Sequence, residues 1–553
     1  MAPKRRQKSA NNTENHPQNA VQVVDEPDAT SNPYPAQTSG FALLPPEILS
    51  EIIIHTLLIS PKKGRIELPF TSGLSGPMSY SHICCSLRQV CFSLPSRWWN
   101  ICITTTNATK RTERAFASIL SIQPDSSPLS VSFRGKRLEA EAIKILRTII
   151  SLSHRWQRME FNIPFNPKGP VIKMFSKFNR QQHPFPFLES IKIAQPYIRF
   201  TPTGIVSYID YPIPSDILKC HLPLSASSMN GEAPAPKLRE INLRGSRSTL
   251  TDPLSYPLPW GQLEAFHFLG SMHDPVGTSI KLLGRLECLR DLDLSGWLYS
   301  NRFGNPLMQT TTSIIQHDNI CRLKFGDISE PIVSLLRLPS LVEVRLTRPS
   351  RKAYKTLQAL IERSGCTILS LSIHESAHDS QEILAAGDNF VNWIPKELQV
   401  LRFWDLTKFE WLVRILTITE QTRNGQCIPL PQLKHLSIHR VEGDIFSDDS
   451  LIRMMAMLNS RAPITNGCSR HEGNASVACL RTFKFLFELT YRGLGQAQEG
   501  DKQLLQLQEL GSDQLRVRVE CREPRMLGAV DDQWAVEEEE DEGDEWDGWS
   551  PSI

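Results

Sequence analysis

Several things are missing from this 553-residue chain. No apolar run approaches the ~20 residues that span a bilayer. The longest candidate, from Ile52 to Ile59, is interrupted by His55 and Thr56, so no membrane partner is expected. The first residues are polar and basic, without the apolar stretch of a secretory signal. The 12 cysteines form neither a dense framework nor repeated Cys-x-x-Cys pairs. Reduced thiols in a cytoplasmic and/or nuclear protein are the expectation. Catalytic signatures are also lacking: there is no phosphate-binding G-x-x-x-x-G-K-[ST], no H-E-x-x-H, no G-x-S-x-G and no dinucleotide glycine pattern. Cys468 and His471 with Cys479 lack the second pair that a zinc site needs. His374 and His378 fall in an apparent loop, and Cys91 sits in an apolar helical context that suggests packing. The expectation is a non-enzyme with no metal and no cofactor. Nor does one sign of charge dominate, since 61 Lys and Arg face 59 Asp and Glu, a formal +2. That balance gives no reason to expect nucleic acid as a partner.

Charge is unevenly placed, however. Residues 531–547 carry Asp531, Asp532, the run Glu537 to Glu542, Asp544, Glu545 and Asp547, and no base. Removing those 11 acids leaves 59 − 11 = 48 against 61 bases, so the remainder is basic at +13. Such a tail either serves as a solvated segment, masks a basic surface or recruits a basic partner. Residues 1–40 hold no Leu, Ile, Phe or Trp, and they are expected to be disordered, as are residues 526–553.

Order is expected from Phe41. Pro45-Pro46-Glu47 suits a helix start, and Ile48/Leu49, Ile52/Ile53 and Thr56/Leu57 recur at helical spacing. The Gly-, Pro- and Ser-rich residues 60–79 read as an inserted loop, and a second helix is expected from Tyr80 to Leu87 or slightly beyond. Further on, the frame apolar-x-x-apolar-x-apolar repeats. It occurs at Leu188/Ile191/Ile193, Leu238/Ile241/Leu243, Leu263/Phe266/Phe268, Leu289/Leu292/Leu294 and Ile320/Leu323/Phe325. It continues at Leu341/Val344/Leu346, Ile368/Leu371/Ile373, Leu398/Leu401/Phe403, Leu433/Leu436/Ile438 and Leu480/Phe483/Phe485, and Trp98 and Trp156 open two more matches.

The last two apolar residues alternate as one buried face of a short strand requires. Return segments between strands show helical faces, such as Tyr354/Leu357/Leu360/Ile361 and Leu451/Met454/Met455/Leu458. A strand plus a return segment cannot bury its apolar face alone, whereas stacked copies do so for each other. The expected fold class is α/β, a right-handed, curved leucine-rich-repeat solenoid (a horseshoe with parallel strands) over 104–525. The wide gaps at 194–237 and 440–479 read as insertions. Residues between the apolar strand positions should face outward, which offers Asn242, His267, Asp293, Lys324, Arg345 and Arg402, with Ser372 and Ser437, as a substrate-binding row. His435 and His439 are expected at a solvated strand edge.

Residues 41–103 resemble an F-box. The motif is carried by Leu44-Pro45-Pro46-Glu47-Ile48-Leu49, by Ser81-His82-Ile83-Cys84 through Arg88, and by Pro95-Ser96-Arg97-Trp98. Leu87 stands where the family commonly has Trp, and the 60–79 loop is long for the family. Together with the repeats the chain is similar to F-box proteins abundant in mushroom-forming fungi, over about residues 40–520. The resemblance implies a three-helix F-box at the N-terminal end and a substrate receptor of an SCF-type (Skp–cullin–F-box) ubiquitin ligase. It would dock a Skp-type adaptor, and through it a cullin, while the repeats capture a protein substrate. Leu44, Pro45, Ile48, Leu49, Ile52, Ile53, Ile83 and Leu87 are the candidate adaptor-binding residues. The competing reading is a ligase-independent protein-interaction scaffold.

Overall fold

The computed structural model describes residues 44–58, 65–68, 85–93, 100–105, 108–123, 125–135, 138–163, 174, 185–194, 198–200, 206–208, 235–244, 254, 258–272, 275–295, 297–299, 314–326, 329–374, 394–404, 409–418, 430–439, 448–461, 480–488 and 516–522. The expected disordered ends, 1–40 and 526–553, lie outside these residues, as do most of the 194–237 insertion and the Cys468–Cys479 cluster. The chain divides into two units, Met1–Pro45 and Pro46–Ile553. In the first, only Leu44, half-buried, and Pro45, exposed, are described.

The second unit is mixed α/β, built on a large parallel sheet. Its strands, in chain order, are β1 (Arg65–Leu68), β2 (Asn100–Thr104), β3 (Leu129–Arg134), β4 (Trp156–Asn162) and β5 (Ser190–Ala194). A separate antiparallel pair, β6 (Ile198–Phe200) and β7 (Val206–Tyr208), follows. The sheet resumes with β8 (Glu240–Arg244), β9 (Ala265–Met272) and β10 (Asp291–Asp293), and β11 (Trp297–Tyr299) pairs with the far end of β9. Two short strands, β12 (Ile315–Gln316) and β14 (Leu336–Arg337), pair with each other around β13 (Arg322–Gly326). The remaining strands are β15 (Glu343–Thr347), β16 (Ser370–His374), β17 (Val400–Trp404), β18 (His435–His439), β19 (Thr482–Glu488) and β20 (Arg516–Arg522). Along the main sheet each strand pairs with the sheet strand that comes before it in the chain, so the order is sequential, skipping only the strands of the short side pairs.

Parallel neighbours need a return segment between them. Helices supply several: α1 (Pro46–Leu58), α2 (Cys85–Ser93), α3 (Lys110–Ile122), α4 (Ala140–Ser151), α5 (Pro275–Leu283), α6 (Glu330–Val333), α7 (Arg351–Ser364), α8 (Phe409–Leu416) and α9 (Asp448–Arg461). Helix α7 shows why such segments fold. Ser350 caps its start by accepting from the Lys352 amide, and Gly365 ends it at φ 63°, a left-handed turn that glycine enters without steric cost. Its expected apolar face is buried at Tyr354, Leu357 and Leu360, with Ile361 packed at the margin. In α9 the buried face is Met454, Met457 and Leu458, so the 440–479 insertion contains a return helix of the ordinary kind.

Registers keep equivalent residues side by side. Ile241, Phe266, Leu292, Leu323, Val344, Leu371, Leu401, Leu436 and Phe483 are direct partners, and all are buried. One further apolar position precedes seven of the frames. The amide of the first Leu donates to a carbonyl three residues back at Phe185, Ala235, Trp260, Leu286, Leu338, Pro395 and Leu430. That turn brings the chain under the strand.

Two buried arginines and one half-buried arginine tie successive layers. Arg155 donates to the Ser127 carbonyl, Arg363 to those of Leu336 and Val333, and Arg461 to those of Leu416 and Leu430. Each guanidinium satisfies carbonyls that helices and turns leave open. Burial pushes Arg461 down to about 10, a group still charged at neutral pH.

Two boundaries differ from expectation. The 60–79 segment contains β1, whose Ile66 is fully buried in the main core, so this part is the sheet's first strand rather than an inserted loop. Residues 100–103 likewise form β2, flanked by β1 and β3, so the sheet begins inside the 41–103 segment. Arg65-Ile66-Glu67-Leu68 alternates polar and apolar residues, and it pairs in parallel with Asn100-Ile101-Cys102-Ile103, whose last three residues are all buried.

Candidate functional site

Two surfaces concern binding. The first is α1. Leu49 and Ile53 are fully buried, and α1 packs on α2, whose Leu87, Val90 and Cys91 are also inside. One helical step away the chemistry is the same but the setting is opposite: Ile48 is 48% and Ile52 39% exposed. Residues i and i+4 stack on one face, so these two form a short apolar ridge beside the exposed pair Glu47 and Glu51. Of the eight expected adaptor residues, Leu49, Ile53 and Leu87 therefore serve the interior. The reason is geometric: neighbours in a helix lie 100° apart, and α2 seals the side on which Leu49 and Ile53 fall. Ile83, Trp98 and the part of the second helix before Cys85 lie outside the described residues.

The second surface is the outward face of the sheet. The expected substrate-binding residues do form one row. Glu160, Lys192, Asn242, His267, Asp293, Lys324, Arg345, Ser372, Arg402, Ser437 and Lys484 are consecutive register partners from β4 to β19. Asn242 is buried, only 7% exposed, and offers little to a large partner.

The first half of this row is interlocked. Glu160 accepts from Arg134 at 2.8 Å and Ser132 at 2.6 Å, and Lys192 lies 3.8 Å away. Burial raises the Glu160 pKa, but Arg134 and Lys192 outweigh it and hold the carboxyl below its ordinary value. Asp293 repeats the theme with Lys324 at 3.5 Å, His267 at 3.7 Å, and hydrogen bonds from the Ser295 amide and hydroxyl. Burial opposes its charge, yet Lys324 and His267 drive its pKa far below the carboxylate range. His267 responds in kind: burial acts against the imidazolium, and the carboxylates of Asp293, Asp291 and Glu240 raise its pKa nonetheless.

The second half differs. Arg345, Arg402 and Lys484 alternate with Ser372 and Ser437, and the row of loop residues just before the strands adds Lys434 and Arg481. Glu343, 3.0 Å from Arg345, is the carboxylate on the described outward positions of β15 to β18. His435 reports the local field. Burial lowers its pKa, and Arg481, Lys434 and Arg402 lower it further. His439, expected at a solvated edge, is instead 2% exposed, stacked on Trp404 at 3.9 Å between ring centroids and 2.5 Å from the Ser437 hydroxyl. Register places it beside Trp404, and the ring shields it.

Cys91 is fully buried, as its apolar context suggested. No cluster of His, Cys, Asp or Glu among the described residues has the makings of a metal site. No described helix is long and apolar enough to cross a membrane. No protein-family model matches the chain, and no curated protein matches it either.

Proposed function

We propose that this chain is a substrate-recognition adaptor of an SCF-type ubiquitin ligase. Helix α1 docks a Skp-type adaptor, and through it a cullin. The sequential parallel sheet is the spine of a leucine-rich-repeat-like solenoid that captures a protein substrate. The observation that carries this reading is the Ile48/Ile52 ridge, an exposed apolar pair on a helix whose opposite side is sealed. Two large aliphatic side chains half exposed at i and i+4 gain by burial on a partner, about 1 kcal/mol for each, since only the exposed half of each remains to be covered. The mechanism is proximity: simultaneous docking raises the effective concentration of substrate lysines near the conjugating enzyme.

The test separates this reading from a ligase-independent scaffold. The tagged full chain is pulled down from cells with the proteasome inhibited, and adaptor and cullin are quantified. Ile48→Asp and Ile52→Asp leave the fold intact, because both positions are exposed, and remove adaptor and cullin. Wild-type chain that brings down neither protein ends the ligase reading and leaves the scaffold. Leu49→Asp serves as the contrast. Its carboxylate lands in a sealed interior, costs a few kcal/mol and disturbs α1 itself.

A further inference from the structure

The second half of the sheet face has a definite pitch. Arg345, Arg402 and Lys484 occupy every second strand of the ladder β15–β16–β17–β18–β19, with the small hydroxyl side chains of Ser372 and Ser437 between them. Strands are ~4.8 Å apart, so the cations recur every ~9.6 Å across the strands. An extended polyproline-II chain has three residues per turn and rises ~3.1 Å per residue, so every third side chain returns to the same side after ~9.3 Å. An acidic segment with carboxylates at i, i+3 and i+6 therefore matches the ladder charge for charge.

This chain contains such a segment. In the acidic tail, Glu538, Asp541, Asp544 and Asp547 fall at every third residue. The tail follows β20, the strand that pairs with β19, separated from it only by residues 523–530. The span from Lys484 to Arg345 is four strand spacings, ~19 Å. Seven extended residues cover about that distance, well within the reach of residues 531–547.

We propose that the outward face of β15 to β19 is a docking surface for the chain's own acidic segment, residues 531–547. Lys484, Arg402 and Arg345 take successive carboxylates as the segment leaves β20 and crosses the strands. The surface does not depend on any of these cations lacking a neighbour. Arg345 already meets Glu343, and a guanidinium has five N–H donors, enough to hold a second carboxylate. What selects an acidic occupant is the net sign among the described residues: Arg345, Arg402, Lys434, Arg481 and Lys484 against Glu343 and Glu488. The lowered pKa of His435 beside Arg481, Lys434 and Arg402 is independent of the pitch and agrees with it. The first half of the face, where Glu160 and Asp293 neutralise their neighbours, has no comparable appetite for an acid. The consequence is competition: any acidic cargo must displace a tethered segment already present at an effective concentration in the millimolar range. This holds whether or not the chain serves a ubiquitin ligase.

The test uses the full chain in two forms, wild type and a tail-neutral form with the 11 acids of 531–547 replaced by Asn and Gln. A fluorescein-labelled peptide of the wild-type 531–547 sequence is the probe, read by polarisation at low salt. The tail-neutral chain is expected to bind it at least ~10-fold more tightly than wild type, whose own tail occupies the face. Arg345→Glu with Arg402→Glu in the tail-neutral chain is expected to lose at least ~10-fold, while Lys281→Glu with Lys355→Glu on the return helices changes binding less than 2-fold. Reversing the peptide's Glu538, Asp541 and Asp544 to Lys restores binding to the Arg345→Glu/Arg402→Glu chain, which a misfolded variant could not do. Equal probe binding by wild-type and tail-neutral chains overturns the proposal. So does unchanged binding by the double charge reversal. Dimers that form in wild type and vanish in the tail-neutral chain assign the face to a second copy's tail, and a single-stranded oligothymidylate outcompeting the peptide assigns it to nucleic acid. Either result also overturns the proposal. None of these outcomes depends on adaptor or cullin binding, which the α1 variants test separately.

Discussion

The two halves of one sheet face use the same register for opposite purposes. From β4 to β13 the row between the apolar positions closes on itself, with Glu160 held by Arg134, Ser132 and Lys192, and Asp293 held by Lys324, His267 and Ser295. From β15 to β19 the row carries cations separated by serines, and Glu343 lies 3.0 Å from Arg345. The backbone is alike in both places: parallel strands in uniform register above an aliphatic core. The difference teaches that a repeat fixes positions and leaves their chemistry open. In the first half polar side chains are spent on each other and stabilise the sheet. In the second, cations and serine hydroxyls alternate along the row, the pattern on which the docking proposal rests.

Removing a carboxylate from each half gives the largest expected contrast. Asp293→Ala strands Lys324 and His267 beside one another on a largely covered surface. The loss should be about 3 kcal/mol, the usual cost of breaking one side of a buried pair. Glu343→Ala removes a partner of a more exposed arginine and should cost under about 1 kcal/mol. Urea denaturation of both variants checks this. Equal losses would erase the distinction between a self-satisfied and a partner-facing half.

A second contrast concerns pH. His267 has a raised folded pKa, so its stabilising contribution is fully present below the ordinary histidine value and is lost as pH rises through the folded value. His435 has a lowered folded pKa, so its contribution is present above the ordinary value and is lost as pH falls through the folded one. His267→Asn should therefore destabilise the chain more at pH 5 than at pH 8. His435→Asn should do the reverse, hurting less at pH 5 than at pH 8 because it removes a group that resists protonation. Both variants lose the neutral contacts of the ring at every pH, including the 2.6 Å Nδ1 contact of His435 with the Thr482 hydroxyl. The sign of the difference between the two pH values is the readout. Thermal melts at the two pH values measure it, and parallel behaviour of the two variants would show that the field does not change sign along the face.

Much of this was legible in the residue order. The frame Leu-x-x-apolar-x-apolar names the buried rows because a strand's period is two, and the outward row follows by subtraction. The turn residue three places before seven of the frames was not legible, because Phe185, Ala235, Trp260, Leu286, Leu338, Pro395 and Leu430 share apolarity but neither size nor shape. Strand β1 was hidden by its length, four residues among glycine, proline and serine. Strand β20 alternates in Val517 and Val519 but lacks the leading Leu frame, so only its pairing with β19 reveals it. On α1, Ile48/Leu49 and Ile52/Ile53 give a wide apolar stripe, and periodicity cannot say which edge of it α2 covers. Charge compensation was the least accessible property, since Glu160 meets Arg134 and Lys192 across strands whose proximity only the register supplies.

The smallest expected effect is also the most discriminating. Arg345→Gln with Arg402→Gln removes two cations from the second half while keeping polar, hydrogen-bonding side chains, though shorter ones. If that half faces a partner instead of supporting the fold, stability should change by less than about 0.5 kcal/mol. The local field should weaken all the same. Arg402 is one of the three cations that hold down the His435 pKa, so its loss must move that pKa upward. An NMR titration of His435 and a urea curve on the same variant read the two consequences together. A shifted histidine with unchanged stability places these arginines on a surface kept for binding, whereas a large stability loss would make the second half as structural as the first.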